Sequence, residues 1–208
     1  MAESKAGVLK GLERMLVHNQ LRAAVGLRAE LPFLLRGAQL PLHPRCLEIG
    51  AGLGWGTLGL AQRINPERVV SLDYDQAILP KARTIHRQRG AASRVEYCCA
   101  DGKALPFSDG TFDLVLALYV LHHLAGYPEA LREIARVTRP GGRFLFIDPV
   151  HVPLMPRLRG MVAPDGLPSR PELTALAVKA GLHVERWRGL PFLVFAEMRK
   201  QPEAVDAA

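Results

Sequence analysis

Cysteine is scarce: the 208 residues contain three, Cys46 and the adjacent Cys98 and Cys99. Adjacent side chains on a strand point to opposite faces, so these three suit neither a disulfide framework nor a metal cluster, and plain buried thiols are expected. Long apolar runs are also missing. The longest, Leu114 to Leu121, falls far short of the roughly 20 residues that cross a bilayer. Near Glu3 and Lys5 no apolar stretch leads to a small-residue cleavage site, so no secretory signal is expected and the default location is the cytoplasm. Internal repeats and low-complexity tracts are absent as well, which removes solenoid and fibrous architectures.

What is present is an ordinary globular composition, 49% hydrophobic and 23% charged. The length fits one domain, since a single core commonly holds up to roughly 250 residues. The net charge is +7, drawn partly from Lys81, Arg83, Arg87, Arg89 and Arg94. Such a cluster attracts anions at long range. Without interleaved aromatics to stack bases it reads better as a solvated helix face, and nucleic acid is not an expected partner.

From Arg45 onward, short apolar or β-branched runs alternate with helical patterns, the signature of parallel strands joined by crossover helices. Strands are expected at 45–49, 68–72, 94–99, 112–118 and 142–147, with helices at 55–64, 75–89 and 127–137. Two more strand-like segments, 182–189 and 192–199, are linked too tightly for a parallel crossover and should pair antiparallel. A helix over 171–180 precedes them, with Ser169 as its cap and Gly181 as its stop. The expected fold class is therefore α/β, a Rossmann-like, mostly parallel seven-stranded sheet with helices on both faces and an antiparallel C-terminal strand.

The chain divides into a helical cap over 1–40, a ligand-binding core over 41–148, a proline-rich loop over 149–170 and a helix with a β-hairpin over 171–200. In the cap, Val8, Leu12, Met15 and Leu16 recur at helical spacing, which suits a packed helix, a lid or a surface touching membrane. Six prolines and two glycines lie from Pro149 to Pro171, a composition that breaks helices and points to a loop bordering a binding pocket.

The chemistry concentrates at strand ends. Cys46 to Ile49 runs straight into Gly50, Ala51, Gly52 and Gly54, so main chain without Cβ atoms can approach a nucleotide-like ligand at the carboxyl end of a strand. The literal G-x-G-x-x-G, Gly54, Gly56 and Gly59, starts too late and would fall inside the next helix, which argues against pyrophosphate binding. Asp73 and Tyr74 end the second strand, where an acid can accept from ribose hydroxyls or cap the following helix. Ala100, Asp101 and Gly102 follow the third, where Asp101 can also close an Asx turn.

These ordered motifs resemble class I S-adenosylmethionine-dependent methyltransferases, whose first motif E/D-x-G-x-G-x-G is matched by Glu48, Gly50, Gly52 and Gly54. The stretch Asp113 to Leu124 and the Arg139-Pro140-Gly141-Gly142 turn resemble the ubiquinone-biosynthesis-like (methyltransferase type 11) subgroup. The likeness covers roughly residues 45–148. It implies S-adenosyl-L-methionine as cofactor, with Glu48 orienting the loop, Asp73 on the ribose, Asp101 on the adenine amino group beside the small Ala100, and Ala51, Tyr74, Gly102 and Leu118 around the cofactor.

Methyl transfer is an in-line displacement in which positioning and water exclusion supply much of the catalysis. His123, and next to it His122, follow the fourth strand at its ligand-binding end and are the candidates for a base; both also fit a structural reading. Tyr119 and Asp148 end strands too and could orient a polar acceptor. No Asn/Asp-Pro-Pro-aromatic tetrad follows the fourth strand, which lowers base methylation of nucleic acid. The expected acceptor is a small molecule or a lipid- or quinone-like compound, with peripheral membrane contact as an option. A non-catalytic cofactor-binding regulator and an NAD-dependent oxidoreductase are the alternatives, and no metal site is expected.

Overall fold

The computed structural model describes residues 26–124, 126–149, 168–190 and 193–202. The expected helices before residue 26 and most of the proline-rich loop, residues 150–167, lie outside the described residues. Seven strands form one sheet: β1 Arg45–Ile49, β2 Arg68–Asp73, β3 Val95–Cys99, β4 Phe112–Leu118, β5 Thr138–Pro149, β6 Leu182–Leu190 and β7 Leu193–Lys200. Their spatial order is β3-β2-β1-β4-β5-β7-β6. The four pairings among β1 to β5 are parallel, whereas β7 lies antiparallel between β5 and β6. The order reverses direction at β1 and β4, the switch point where open α/β sheets bind ligands beyond the strands' carboxyl ends.

The helices are α1 Leu31–Leu35, α2 Trp55–Arg63, α3 Leu79–Gln88, α4 Tyr127–Val137 and α5 Arg170–Lys179. On one face, Leu131, Ile134 and Ala135 of α4 and Leu173 and Ala177 of α5 pack on Leu47, Val115, Phe144 and Phe146. On the other face, Leu31 and Leu34 of α1 and Leu60 of α2 pack on Cys46, Leu114, Leu116 and Leu145. Consecutive β4 residues divide between the two clusters as strand alternation requires. Both faces being covered, β4 reads as an unbroken apolar run from Leu114 onward. Each such side chain, fully buried, contributes about 1.5–3 kcal/mol.

Three local expectations are revised. The helix expected over 75–89 starts at Leu79, because the Asp75 carboxylate accepts from the Ala77 N–H at 2.9 Å and holds a turn instead. The Arg139-Pro140-Gly141-Gly142 turn lies within β5, where the pairing with β4 slips between Phe112 and Leu114. Of the thiols, Cys46 is buried but Cys99 is exposed, since β3 forms the sheet edge. At α5, by contrast, Ser169 accepts from the Glu172 N–H and the Glu172 carboxylate accepts from the Ser169 N–H, a reciprocal capping box.

Candidate functional site

The loop after β1 is shaped by three left-handed glycines, Gly50, Gly52 and Gly54, at φ 65°, 54° and 75°. Added Cβ atoms separate their duties. At Gly50 one would sit 2.1 Å from Val120 Cγ2, and at Gly54 one would sit 2.4 Å from His86 Nε2, so these two are glycines for packing. At Gly52 a Cβ would meet no atom of the described residues within 4 Å. Its bare backbone therefore faces outward at the switch point, the arrangement that lets a ligand lie against main chain. Gly56 and Gly59 fall inside α2 and are buried, Gly56 against Glu48 and Leu118, which removes the pyrophosphate-binding reading of the literal G-x-G-x-x-G.

Glu48 is 2% exposed. Its carboxylate accepts from both the N–H and the hydroxyl of Thr57 at 2.5 Å. Gly54, the N-cap of α2, has no side chain to offer, so a carboxylate from β1 caps the helix across the fold and sits at its positive end. Burial raises the Glu48 pKa from 4.5 to about 7, against the pull of its Thr57 bonds. Glu48 thus locks the glycine loop to its helix.

Asp73, at the end of β2, accepts from the Gly52 N–H at 2.7 Å through one oxygen and from the Asp75 N–H at 2.9 Å through the other. A carboxylate has about four lone-pair sites, so each oxygen retains capacity for a further donor. Asp73 caps no helix, because the N-cap of α3 is Ile78. Tyr74 beside it is 73% exposed. Asp101 closes an Asx turn, accepting from the Lys103 N–H at 2.9 Å, with the Lys103 ammonium 3.7 Å from its other oxygen. Ala100 donates its N–H to Asp73 O, and Gly102 is buried against Ile49 and Leu124.

The loop carrying Asp101 is fastened by residues that sequence reasoning did not single out. Glu133 of α4 accepts from the Leu105 N–H at 2.7 Å, and the Arg136 guanidinium donates to Leu105 O at 2.9 Å and Phe107 O at 2.7 Å. The i, i+3 spacing of Glu133 and Arg136 announces only a helix pair; the loop they hold is 28 to 31 positions away.

At the ends of β4 and β5 a second cluster forms. His122 Nδ1 lies 2.6 Å from Asp148 Oδ1, and the Leu121 N–H donates to Asp148 Oδ2 at 2.8 Å. Burial pushes the Asp148 carboxyl up, while His122 and the Leu121 and His122 N–H groups oppose that shift. His123 is exposed as a residue, but its ring centroid is 3.8 Å from that of His122. Desolvation there, then repulsion from His122, lowers its pKa from 6.5 to about 4, which leaves His123 uncharged and weakly basic at neutral pH. Tyr119 occupies the left-handed region at φ 57°, rare for a bulky side chain. Its hydroxyl donates to Glu30 Oε1 at 2.6 Å, tying the segment before α1 to the end of β4.

One end of the sheet therefore holds an outward-facing glycine backbone, carboxylates on β1, β2 and the loop after β3, and a pair formed by a histidine just after β4 and a carboxylate on β5. Residues 47–146 match the family model described as a methyltransferase domain. This stretch is thus similar to a methyltransferase domain. Among relatives, the domain is 36% identical over 105 residues to the ubiquinone/menaquinone biosynthesis C-methyltransferase UbiE of Idiomarina loihiensis, covering 50% of this chain and 42% of that one. It is 39% identical over 106 residues to the malonyl-[acyl-carrier protein] O-methyltransferase of Halorhodospira halophila, covering 50% and 35%. The matched region thus spans less than half the length of either relative. Among solved structures, the [4+2]-cyclase SpnF superposes with a TM-score of 0.74 at 19% identity, covering 83% of this chain and 80% of that one. At that identity the likeness concerns the fold.

Among the described residues no helix is long and apolar enough to cross a membrane. No group of three or more His, Cys, Asp and Glu able to hold a metal ion occurs among them.

Proposed function

We propose that the chain transfers a methyl group from S-adenosyl-L-methionine to a small-molecule or lipid- or quinone-like acceptor. The observation that carries the cofactor is the outward-facing Gly52 backbone bonded to Asp73, with Glu48 and Asp101 at the neighbouring strand ends. This donor and acceptor set suits a cofactor that offers two ribose hydroxyls, an adenine amino group and positive charge, and no phosphate. Asp73 would take the ribose hydroxyls on its remaining lone pairs and Asp101 the adenine amino group. Gly50, Ala51, Gly52 and Gly54 would line the main-chain cradle, with Tyr74, Ala100, Gly102 and Leu118 around it. When bound, the cofactor supplies an electrophilic sulfonium methyl group, and the remaining catalysis falls to positioning and exclusion of water.

For the acceptor, the geometry favours His122 over His123, the reverse of the sequence-based order. With the Asp148 carboxylate accepting a hydrogen bond from His122 Nδ1–H, Nε2 carries the lone pair, the tautomer a general base needs. The low basicity of His123 fits a packing role better. By their names, the relatives above are a C-methyltransferase of ubiquinone/menaquinone biosynthesis and an O-methyltransferase of malonyl-[acyl-carrier protein], which supports a small or lipid-like acceptor. Segments 1–25 and 150–167, in which a lid, membrane contact or acceptor wall was expected, lie outside the described residues.

The reading is tested by offering a panel of phenols, thiols, amines, quinols and phospholipids with labelled cofactor. Transfer to any of them supports it. With that acceptor, His122→Gln should slow turnover by about 10²–10⁴-fold, the range for loss of a general base, with cofactor affinity retained. Cofactor binding without transfer to any class would favour a regulatory role.

A further inference from the structure

Outside these clusters, His86 is a buried side chain with a polar partner on each ring nitrogen, on a helix whose other polar residues face solvent. It is 0% exposed. Its Nε2 lies 2.7 Å from Gly54 O and its Nδ1 lies 2.7 Å from the Tyr97 hydroxyl of β3. A carbonyl only accepts, so Nε2 carries the proton, and in the neutral ring Nδ1 must accept from Tyr97. The two rings stack with centroids 5.7 Å apart, and the Arg83 guanidinium covers Tyr97 at 4.8 Å.

Satisfying the Gly54 carbonyl does not by itself call for a histidine, because the Leu58 N–H already donates to it at 2.9 Å. Burying an imidazole costs desolvation, which here lowers the His86 pKa below its ordinary 6.5. What the second bond adds is orientation. Gly54 donates its N–H to Ala51 O at 2.7 Å, closing the turn whose outward-facing member is Gly52, and the ring fills the space where a Cβ on Gly54 would stand.

We propose that His86 is a positioning residue of the cofactor loop: from α3 it fixes the Gly54 peptide and thereby the aim of the Gly52 backbone. The proposal rests on the S-adenosyl-L-methionine reading above. Glutamine and asparagine separate it from a purely structural role, since the Gln amide reaches the place of Nε2 and the Asn amide that of Nδ1. Calorimetric titration with S-adenosylhomocysteine should find His86→Gln within about threefold of the unaltered protein and His86→Asn about tenfold weaker, the scale of one net hydrogen bond. Leu173→Ala, on the opposite face of the sheet, should lower Tm and leave that affinity unchanged. The reverse order, with His86→Asn binding normally and His86→Gln weakened, would show that the Tyr97 contact is what matters and overturn the proposal. Equal binding by both folded variants would overturn it as well. Absence of binding by the unaltered protein would instead overturn the cofactor reading, and this proposal with it.

Discussion

Replacing Gly52 with alanine separates a ligand-facing glycine from a packing one. The new methyl group meets no atom of the described residues within 4 Å, so the folded chain pays only for a non-glycine residue at φ 54°, roughly 1–2 kcal/mol. For a domain of this size that lowers Tm by about 2–8 °C, at roughly 2–4 °C per kcal/mol. The same methyl group projects into the space that the bound cofactor would need. If the cofactor shifts as a packed side chain does, the cost is about 1–3 kcal/mol, a roughly five- to hundred-fold weaker affinity. Gly50→Ala is the counterpart. Its Cβ would lie 2.1 Å from Val120 Cγ2, so overpacking should add about 1–3 kcal/mol of lost stability to the same backbone strain. Differential scanning calorimetry and titration with S-adenosylhomocysteine read both quantities. Unchanged affinity in folded Gly52→Ala would refute the assignment of this backbone to the cofactor, and a Tm loss as large as that of Gly50→Ala would refute the packing argument.

Other substitutions address neighbouring links. Asp73→Ala removes two prospective charge-assisted bonds to the ribose and should weaken S-adenosylhomocysteine by about 1.5–3 kcal/mol, roughly ten- to hundred-fold, whereas Asp75→Ala should change it little. Glu48 has a folded-state pKa of about 7 against 4.5 for an ordinary glutamate. The folded state therefore binds its proton more tightly than the unfolded chain does. Its contribution to stability is full below pH 4.5 and is lost as pH rises toward 7, by on the order of 3 kcal/mol. In denaturant titrations from pH 4 to 8, Glu48→Gln should flatten that part of the profile, and an unaltered slope would contradict it. Ser169→Ala dismantles the capping box of α5 and should cost about 0.5–2 kcal/mol with no change in cofactor affinity, checked by urea unfolding and titration.

Strand positions were the most legible feature, because β1, β2, β4 and β5 are buried on both faces and their apolar runs are bounded by glycine or charge. The boundary of α3 was not legible. Helical periodicity continues back from Leu79 through Ile78, and only the Asx turn at Asp75 interrupts it. At the site, strand-end acids and glycines announce themselves through position in the sequence. Their division of labour does not, since nothing local distinguishes Gly52, facing outward, from Gly50 and Gly54, packed against Val120 and His86. The His122–Asp148 pair and the Arg136 staple join residues some 26 to 31 positions apart, brought together by the parallel crossovers. His86 was hidden among the arginines of α3, whose charge described the solvent face of the helix and not its buried side.

The central claim is that this end of the sheet binds S-adenosyl-L-methionine. Calorimetric titration of the purified chain with S-adenosylhomocysteine, with NADH in parallel, tests it most directly. The account predicts micromolar binding of S-adenosylhomocysteine and none of NADH; binding of NADH alone would contradict it.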